Sequence, residues 1–217
     1  MNMFQTIVIG ALMSIFAVGT NATLITHNFA QMASNSGTHG ESIWSTLSVG
    51  ELDIIGLYDG ESVYAYLDRG YGGLGVCKEA LELYLVDVLR PGSGMNICNP
   101  GSDDNVTSGE TLRFAFGSGV EVTNIVFNNN HGSGFNSSSD QIDIAGVTYA
   151  VEVNGFTTWS IDTSLTQGFD IAYNNQDFYV QDITYRTFDV ASTGTPALAL
   201  LGLGLVATGF GRNRATK

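Results

Sequence analysis

The chain has 217 residues, with 8 Lys+Arg against 21 Asp+Glu and a formal net charge of −13. That balance argues against a nucleic-acid binder, because phosphate contacts need a basic face. Hydrophobic residues make up 44%, enough for a packed core, and 27 Gly against 3 Pro favour short strands and tight turns over helical bundles.

The chain opens with MNMFQTIVIGALMSIFAVGTNAT. Ile7 to Val18 is mostly apolar and has the length of the hydrophobic part of an export signal. Thr20 and Ala22 put small residues at −3 and −1, so residues 1–22 are expected to form a signal helix cleaved after Ala22. No Lys or Arg precedes the apolar run. The run lacks a polar face, which argues against a buried amphipathic helix.

Between residues 23 and 192 period-two alternation recurs. Glu51–Tyr58 and Ser62–Leu67 read as paired strands around an Asp59-Gly60 turn. Further strands are expected over Thr111–Phe116, Glu121–Phe127, Gln141–Ile144, Val147–Val153, Thr157–Ile161, Phe169–Tyr173 and Phe178–Phe188. In the last, Tyr179, Gln181, Ile183 and Tyr185 alternate against Val180, Asp182, Thr184 and Arg186. Glu79–Arg90 is ambiguous between strand and helix. About ten short strands with frequent turns predict an all-β fold, an antiparallel β-sandwich of jelly-roll type, with a barrel as the alternative. No internal repeat of about 20 to 50 residues is present, so a β-solenoid is not supported.

All 21 acidic residues fall in this central region, beside Arg69, Lys78, Arg90, Arg113 and Arg186. Such a surface repels anionic lipid and nucleic acid and attracts cations. Ca²⁺ takes hard oxygens from carboxylates, amides and carbonyls. Asp103, Asp104, Asn105 and Glu110 supply several in a Gly-bounded loop and form the candidate calcium set, against a bland reading as local turn hydrogen bonds. Asp53, Asp59 and Glu61 form a weaker acidic set. The two cysteines, Cys77 and Cys98, are expected to pair as a disulfide in an exported chain.

The three histidines are His27, His39 and His131. Neither a nucleophile elbow nor a zinc-binding His-Glu-x-x-His accompanies them. No catalytic residue is assigned; paired carboxylates of a hydrolase stay open, because spacing in space is invisible in sequence. Tyr58, Tyr64, Tyr66 and Tyr71, with Trp44 and Trp159, are candidates for stacking against sugar rings. Packing within the sheet is the competing reading for each. Asn105-Val-Thr107 and Asn136-Ser-Ser138 match the N-glycosylation sequon, and no glycan is assigned to them.

At the far end, Ala197 to Phe210 is apolar apart from Thr208, and Arg212, Arg214 and Lys217 follow. This is the pattern of a C-terminal membrane helix with a positive inside flank. Fourteen residues is short of the roughly 20 that span a bilayer unaided. Pro196, Leu198, Gly202, Gly204, Arg212 and Arg214 together resemble the C-terminal sorting signal of PEP-CTERM proteins, also labelled an ice-binding protein C-terminal domain. The sequence departs from that pattern where Thr193-Gly194-Thr195-Pro196 replaces Pro-Glu-Pro. The resemblance implies sorting by an exosortase, a membrane-embedded thiol protease or transpeptidase, and association with exopolysaccharide and biofilm matrix. It covers residues 193–217 alone.

A looser resemblance runs through Gly72–Cys77, Cys98, Asp103–Leu112, Phe114, Phe116, Val120–Phe127 and Asp177–Ile183. These are similar to PEP-CTERM ectodomains with a lectin-like β-sandwich. The expected function is therefore that of an exported, non-catalytic surface or matrix protein. The alternatives are a calcium-dependent carbohydrate-binding module and an extracellular hydrolase.

Overall fold

A computed structural model describes residues 22–34, 39–70, 72–80, 98, 104–129, 135, 137, 139–151 and 158–188. Most of the expected leader, the segment from 81 to 97 and the tail 193–217 lie outside the described residues. So do Asp103, Tyr71 and His131, and with the tail Pro196, Leu198, Gly202, Gly204, Arg212 and Arg214.

In chain order the elements are β1 (Ala22–Asn28), α1 (Phe29–Ala33), β2 (Ser42–Trp44), β3 (Leu47–Val49), β4 (Leu52–Tyr58), β5 (Glu61–Leu67), β6 (Leu74–Cys77), β7 (Glu110–Ala115), β8 (Val120–Asn128), β9 (Gln141–Ile144), β10 (Val147–Ala150), β11 (Thr158–Leu165), β12 (Phe169–Tyr173) and β13 (Tyr179–Phe188). The fold is all-β and its strand ladders are antiparallel. α1 is a single turn whose first free N–H groups are capped by Asn28, the side chain accepting from Gln31 N at 2.6 Å. No helix among the described residues is long and apolar enough to cross a membrane.

The strands form one continuous curled sheet in the order β10-β9-β12-β7-β4-β5-β6-β13-β8-β11, with β1 on β13, β2 on β5 and β3 on β4. The curl turns at β5. Its first residues, Glu61–Val63, pair with β4, whereas Tyr64–Leu67 pair with β6. Gly56 makes that handover possible: a Cβ there would collide with the Tyr64 carbonyl group. Backbone cannot yield as a flexible side chain can, so only glycine fits.

Alternation then fills the concave side. Leu52 and Ile54, Ala65 and Leu67, Leu74 and Val76, Leu112 and Phe114, and Ile125 and Phe127 all belong to one buried cluster drawn from both arms of the curl. Each large side chain buried there contributes about 1.5–3 kcal/mol.

The convex side of β5 and β6 carries a second, smaller cluster of Ile43, Tyr66, Cys77 and Cys98. The expected Cys77–Cys98 disulfide is present, with Cα atoms 5.6 Å apart and a sequence separation of 21. Loop closure of that length is worth about 3 kcal/mol.

One expectation fails in β13. Tyr179 does not share a face with Ile183 and Tyr185. The register against β8 shifts between Val180 and Asp182, a bulge that inserts one residue and flips what precedes it. Val180 therefore joins Ile183 and Tyr185 in the main core, and Tyr179 points to the convex side.

Candidate functional site

That convex side holds a buried polar layer. Along β5 and just past it, Tyr64, Tyr66 and Asp68 alternate away from the main core. Gly75 does the same on β6, and a Cβ there would collide with the Asp104 carbonyl oxygen, so the Asp104-Asn105 segment lies directly over it. The segment is pinned by Val76 N donating to the Asn105 carbonyl at 3.3 Å and Val106 N to that of Phe178 at 2.7 Å. Beneath it, Glu41, Asp68 and Asp104 are each 5% exposed or less. The Tyr66 hydroxyl donates to Glu41 Oε1 at 2.8 Å, and that of Tyr179 to Asp104 Oδ1 at 2.6 Å. Arg69 Nε closes on Glu41 Oε2 at 2.6 Å.

Burial pushes the Asp68 carboxyl up to about 7, and the neighbouring charges of Asp104 and Glu41 add to the shift. Burial and the same carboxylates raise both tyrosine hydroxyls far above their ordinary value. A carboxyl raised by burial can serve as a proton donor where substrate reaches it. Here the carboxyls are sealed under chain and serve to hold the 104–106 segment.

The calcium set is divided among other partners. Asp103 lies outside the described residues. Asp104 accepts from Tyr179. Glu110 Oε2 accepts from Thr107 N at 2.6 Å and from its hydroxyl at 2.9 Å, and Oε1 faces Lys78 Nζ at 3.2 Å. Asn105 is buried. Asp53 sits at the start of β4 and Asp59 and Glu61 beyond its end, so the weaker acidic set is not brought together; Asp53 accepts from Ser48 instead, at 2.6 Å. Among the described residues no group of three or more His, Cys, Asp or Glu is arranged to hold a metal ion.

The two described histidines are likewise engaged. His27 Nε2 is 3.2 Å from the Tyr185 hydroxyl, and burial lowers its pKa. His39 packs edge-on against Trp44. Of the aromatics, Tyr66 is buried, Tyr64 and Trp44 are half-buried, and the Trp159 side chain is outside the description. Tyr58 is exposed, with Lys78 Nζ 4.9 Å from its ring centre.

The open site lies elsewhere, on the β7–β12 arm. Arg113 of β7 and Asp170 of β12 are directly opposed in register. Arg113 Nε donates to Asp170 Oδ1 at 2.8 Å and Nη2 to Oδ2 at 2.9 Å, with both side chains nearly half exposed. That fork raises the Arg113 pKa, through hydrogen bonding first and charge second. Beside it is a depression of about 520 Å³ lined by Phe114, Ala115, Ala145, Gly146, Gly168 and Phe169. Phe169 stacks on Phe114 at 5.1 Å, and half-buried Phe116 packs edge-on against Phe169 at 6.1 Å. A second depression of about 280 Å³ shares Ala145, Gly168 and Phe169 and continues past Ser164, Leu165, Thr166 and Gln167.

The groove thus joins a polar fork, the small residues Ala115, Ala145, Gly146 and Gly168, and a hydroxyl- and amide-bearing rim, while Phe114 and Phe169 belong to the core face of the same strands. Sequence reading missed it because its parts come from three separate strands and two turns. The signal available was the equal spacing of Arg113 from Phe114 and of Asp170 from Phe169 in strands that pair.

No family model matches the chain, and no curated protein matches it. One solved structure with some similarity comes from work on how the complexity of the Ruminococcus flavefaciens cellulosome reflects an expansion in glycan recognition. It is 8% identical, covers 76% of this chain and 95% of its own, and has a TM-score of 0.30. A likeness that distant carries no weight for function.

Proposed function

We propose that the chain is an exported, non-catalytic protein of the cell surface or extracellular matrix, and that its β domain binds carbohydrate through the groove beside Arg113 and Asp170. In this reading residues 1–22 direct export, residues 23–192 form a jelly-roll-like sandwich, and residues 193–217 are the sorting tail, handled by an exosortase-type enzyme. Exopolysaccharide is the proposed partner.

The observation that carries the binding reading is the groove itself. Sugar hydroxyls are read by planar charged and amide groups set beside an apolar surface. The Arg113–Asp170 fork leaves further N–H donors and lone pairs facing solvent, and Ala115, Ala145, Gly146 and Gly168 line the depression beside it.

Calcium is not needed in this reading, because Asp104 and Glu110 already have partners. The test is retention of the protein on the producing organism's own exopolysaccharide, in calcium and in EDTA. Retention in both buffers is expected. Loss in EDTA would return calcium to the mechanism, and no retention in either would remove the carbohydrate reading.

A further inference from the structure

Two of the hairpins turn in the same way but are built from different residues. Tyr58 pairs with Glu61 and Ile144 with Val147, so Asp59-Gly60 and Ala145-Gly146 are both two-residue turns. All four turn residues have positive φ: 50° and 85° in the first, 53° and 76° in the second. That is the type I′ turn, which favours Asn, Asp or Gly at its first position. Asp59 obeys the preference. Ala145 does not, since its Cβ is disfavoured in the left-handed region and it has no polar side chain to offset that. Strained backbone of this kind persists where something else requires it. Ala145, with Gly168 and Phe169, lines both depressions of the groove. Its amide is fixed there by the Asp170 carbonyl at 2.8 Å.

The charges narrow the ligand. Arg113 and Asp170 are the charged residues among those lining the groove, and they neutralise one another. The remaining described cations are matched too: Arg69 with Glu41, Lys78 with Glu110 and Arg186 with Glu121. A chain with a net charge of −13 and no surplus cation at the groove repels polyanions. The two depressions adjoin at shared lining residues and are open to solvent, which suits a chain lying along the surface rather than a terminal sugar held in a pit.

We infer that the groove takes an extended, neutral glycan running from the Arg113–Asp170 fork across Ala145 to the Ser164–Gln167 rim, and that Ala145 is retained at a cost in backbone strain because a longer side chain would block that path. This rests on the carbohydrate reading above and sharpens it to a substrate class and a specificity-determining residue.

The test is calorimetric titration of the protein with neutral glucan and galactan oligomers and with oligouronates, each from two to six sugars, on wild type, Ala145→Asn, Asp59→Asn and Arg113→Ala. For neutral oligomers affinity rises about tenfold with length, and oligouronates bind at least about tenfold more weakly. Ala145→Asn melts a few degrees higher yet binds about tenfold more weakly, whereas Asp59→Asn binds as wild type does. Preference for oligouronates, no gain with length, or full affinity in Ala145→Asn would overturn the inference while leaving the carbohydrate reading intact, provided Arg113→Ala weakens binding. No binding to any oligomer, or binding indifferent to Arg113→Ala, would overturn both.

Discussion

The molecule sets carboxylates beside a guanidinium in two places, and the two differ in what covers them. On the convex side of β5, β6 and β13, Glu41, Asp68 and Asp104 lie under the 104–106 segment and are met by tyrosine hydroxyls and Arg69. On the β7–β12 arm, Arg113 and Asp170 stand nearly half exposed on the face opposite the core. A buried polar group is costly unless satisfied, so the first set is committed to holding the fold. An exposed pair contributes little to stability and keeps its remaining hydrogen-bonding capacity for a ligand. Substitutions should therefore separate the two regions by the size and the kind of their effects.

The largest effect belongs to the covered region. Tyr179→Phe removes the donor from a buried Asp104 oxygen and should cost about 1–3 kcal/mol in chemical denaturation, with carbohydrate binding unchanged in the folded fraction. A loss of binding without a loss of stability would reverse the assignment of the two regions.

Next comes the pH response. Burial lifts the folded Asp68 carboxyl to about 7 against an ordinary value of 3.8, so the folded state holds a proton that the unfolded chain releases. Its contribution to stability is complete below the unfolded value, falls through the interval between the two, and is gone above the folded value. Within that interval the slope is about 1.4 kcal/mol per pH unit. Asp177 and Asp182, also raised by burial, act in the same direction. Glu121, lowered by Arg186 and Ser164, and His27, lowered by burial, oppose it. Melting curves between pH 8 and pH 5 on wild type and Asp68→Asn isolate the Asp68 share: the variant should lose most of the rise in stability on acidification. An identical slope in both would show that Asp68 carries no extra proton.

The hairpins give a smaller contrast of opposite sign. Asp59→Ala should destabilise, and Ala145→Asn stabilise, each by about 1 kcal/mol, because each exchanges a suited residue and an unsuited one at the same left-handed position. Equal signs in the two melts would mean the turns are not equivalent.

Much of this fold is legible in the sequence. Gln141–Ile144 and Phe169–Tyr173 are read to the residue, and the Asp59-Gly60 turn fixes the β4–β5 pair, because period-two patterning and turn chemistry are local signals. β2 and β3 escape such reading because three residues carry too little alternation. β6 escapes because Gly72–Gly75 looks like a loop. Its glycines instead allow close packing against the Asp68 side chain, the Val180 carbonyl and the Asp104-Asn105 backbone. The orientation of Tyr179 depends on a bulge that no alternation predicts. The acidic loop stands out as a calcium candidate because composition is visible in sequence, whereas the partners Tyr179, Lys78 and Thr107 are set by the fold. The groove is the least legible part: Arg113 and Asp170 are 57 residues apart and meet only through strand register.

The smallest effect on stability is expected at the groove. Arg113→Ala, an exposed change, should alter stability by less than about 0.5 kcal/mol while weakening retention on exopolysaccharide.

The most direct measurement is a two-dimensional amide NMR titration of the protein with soluble exopolysaccharide fragments, followed by calcium. Shifts should concentrate in 113–116, 144–147 and 164–170 on adding the glycan, and calcium should leave that pattern unchanged. Shifts centred on 104–110, or appearing only once calcium is present, would contradict the groove as the binding surface.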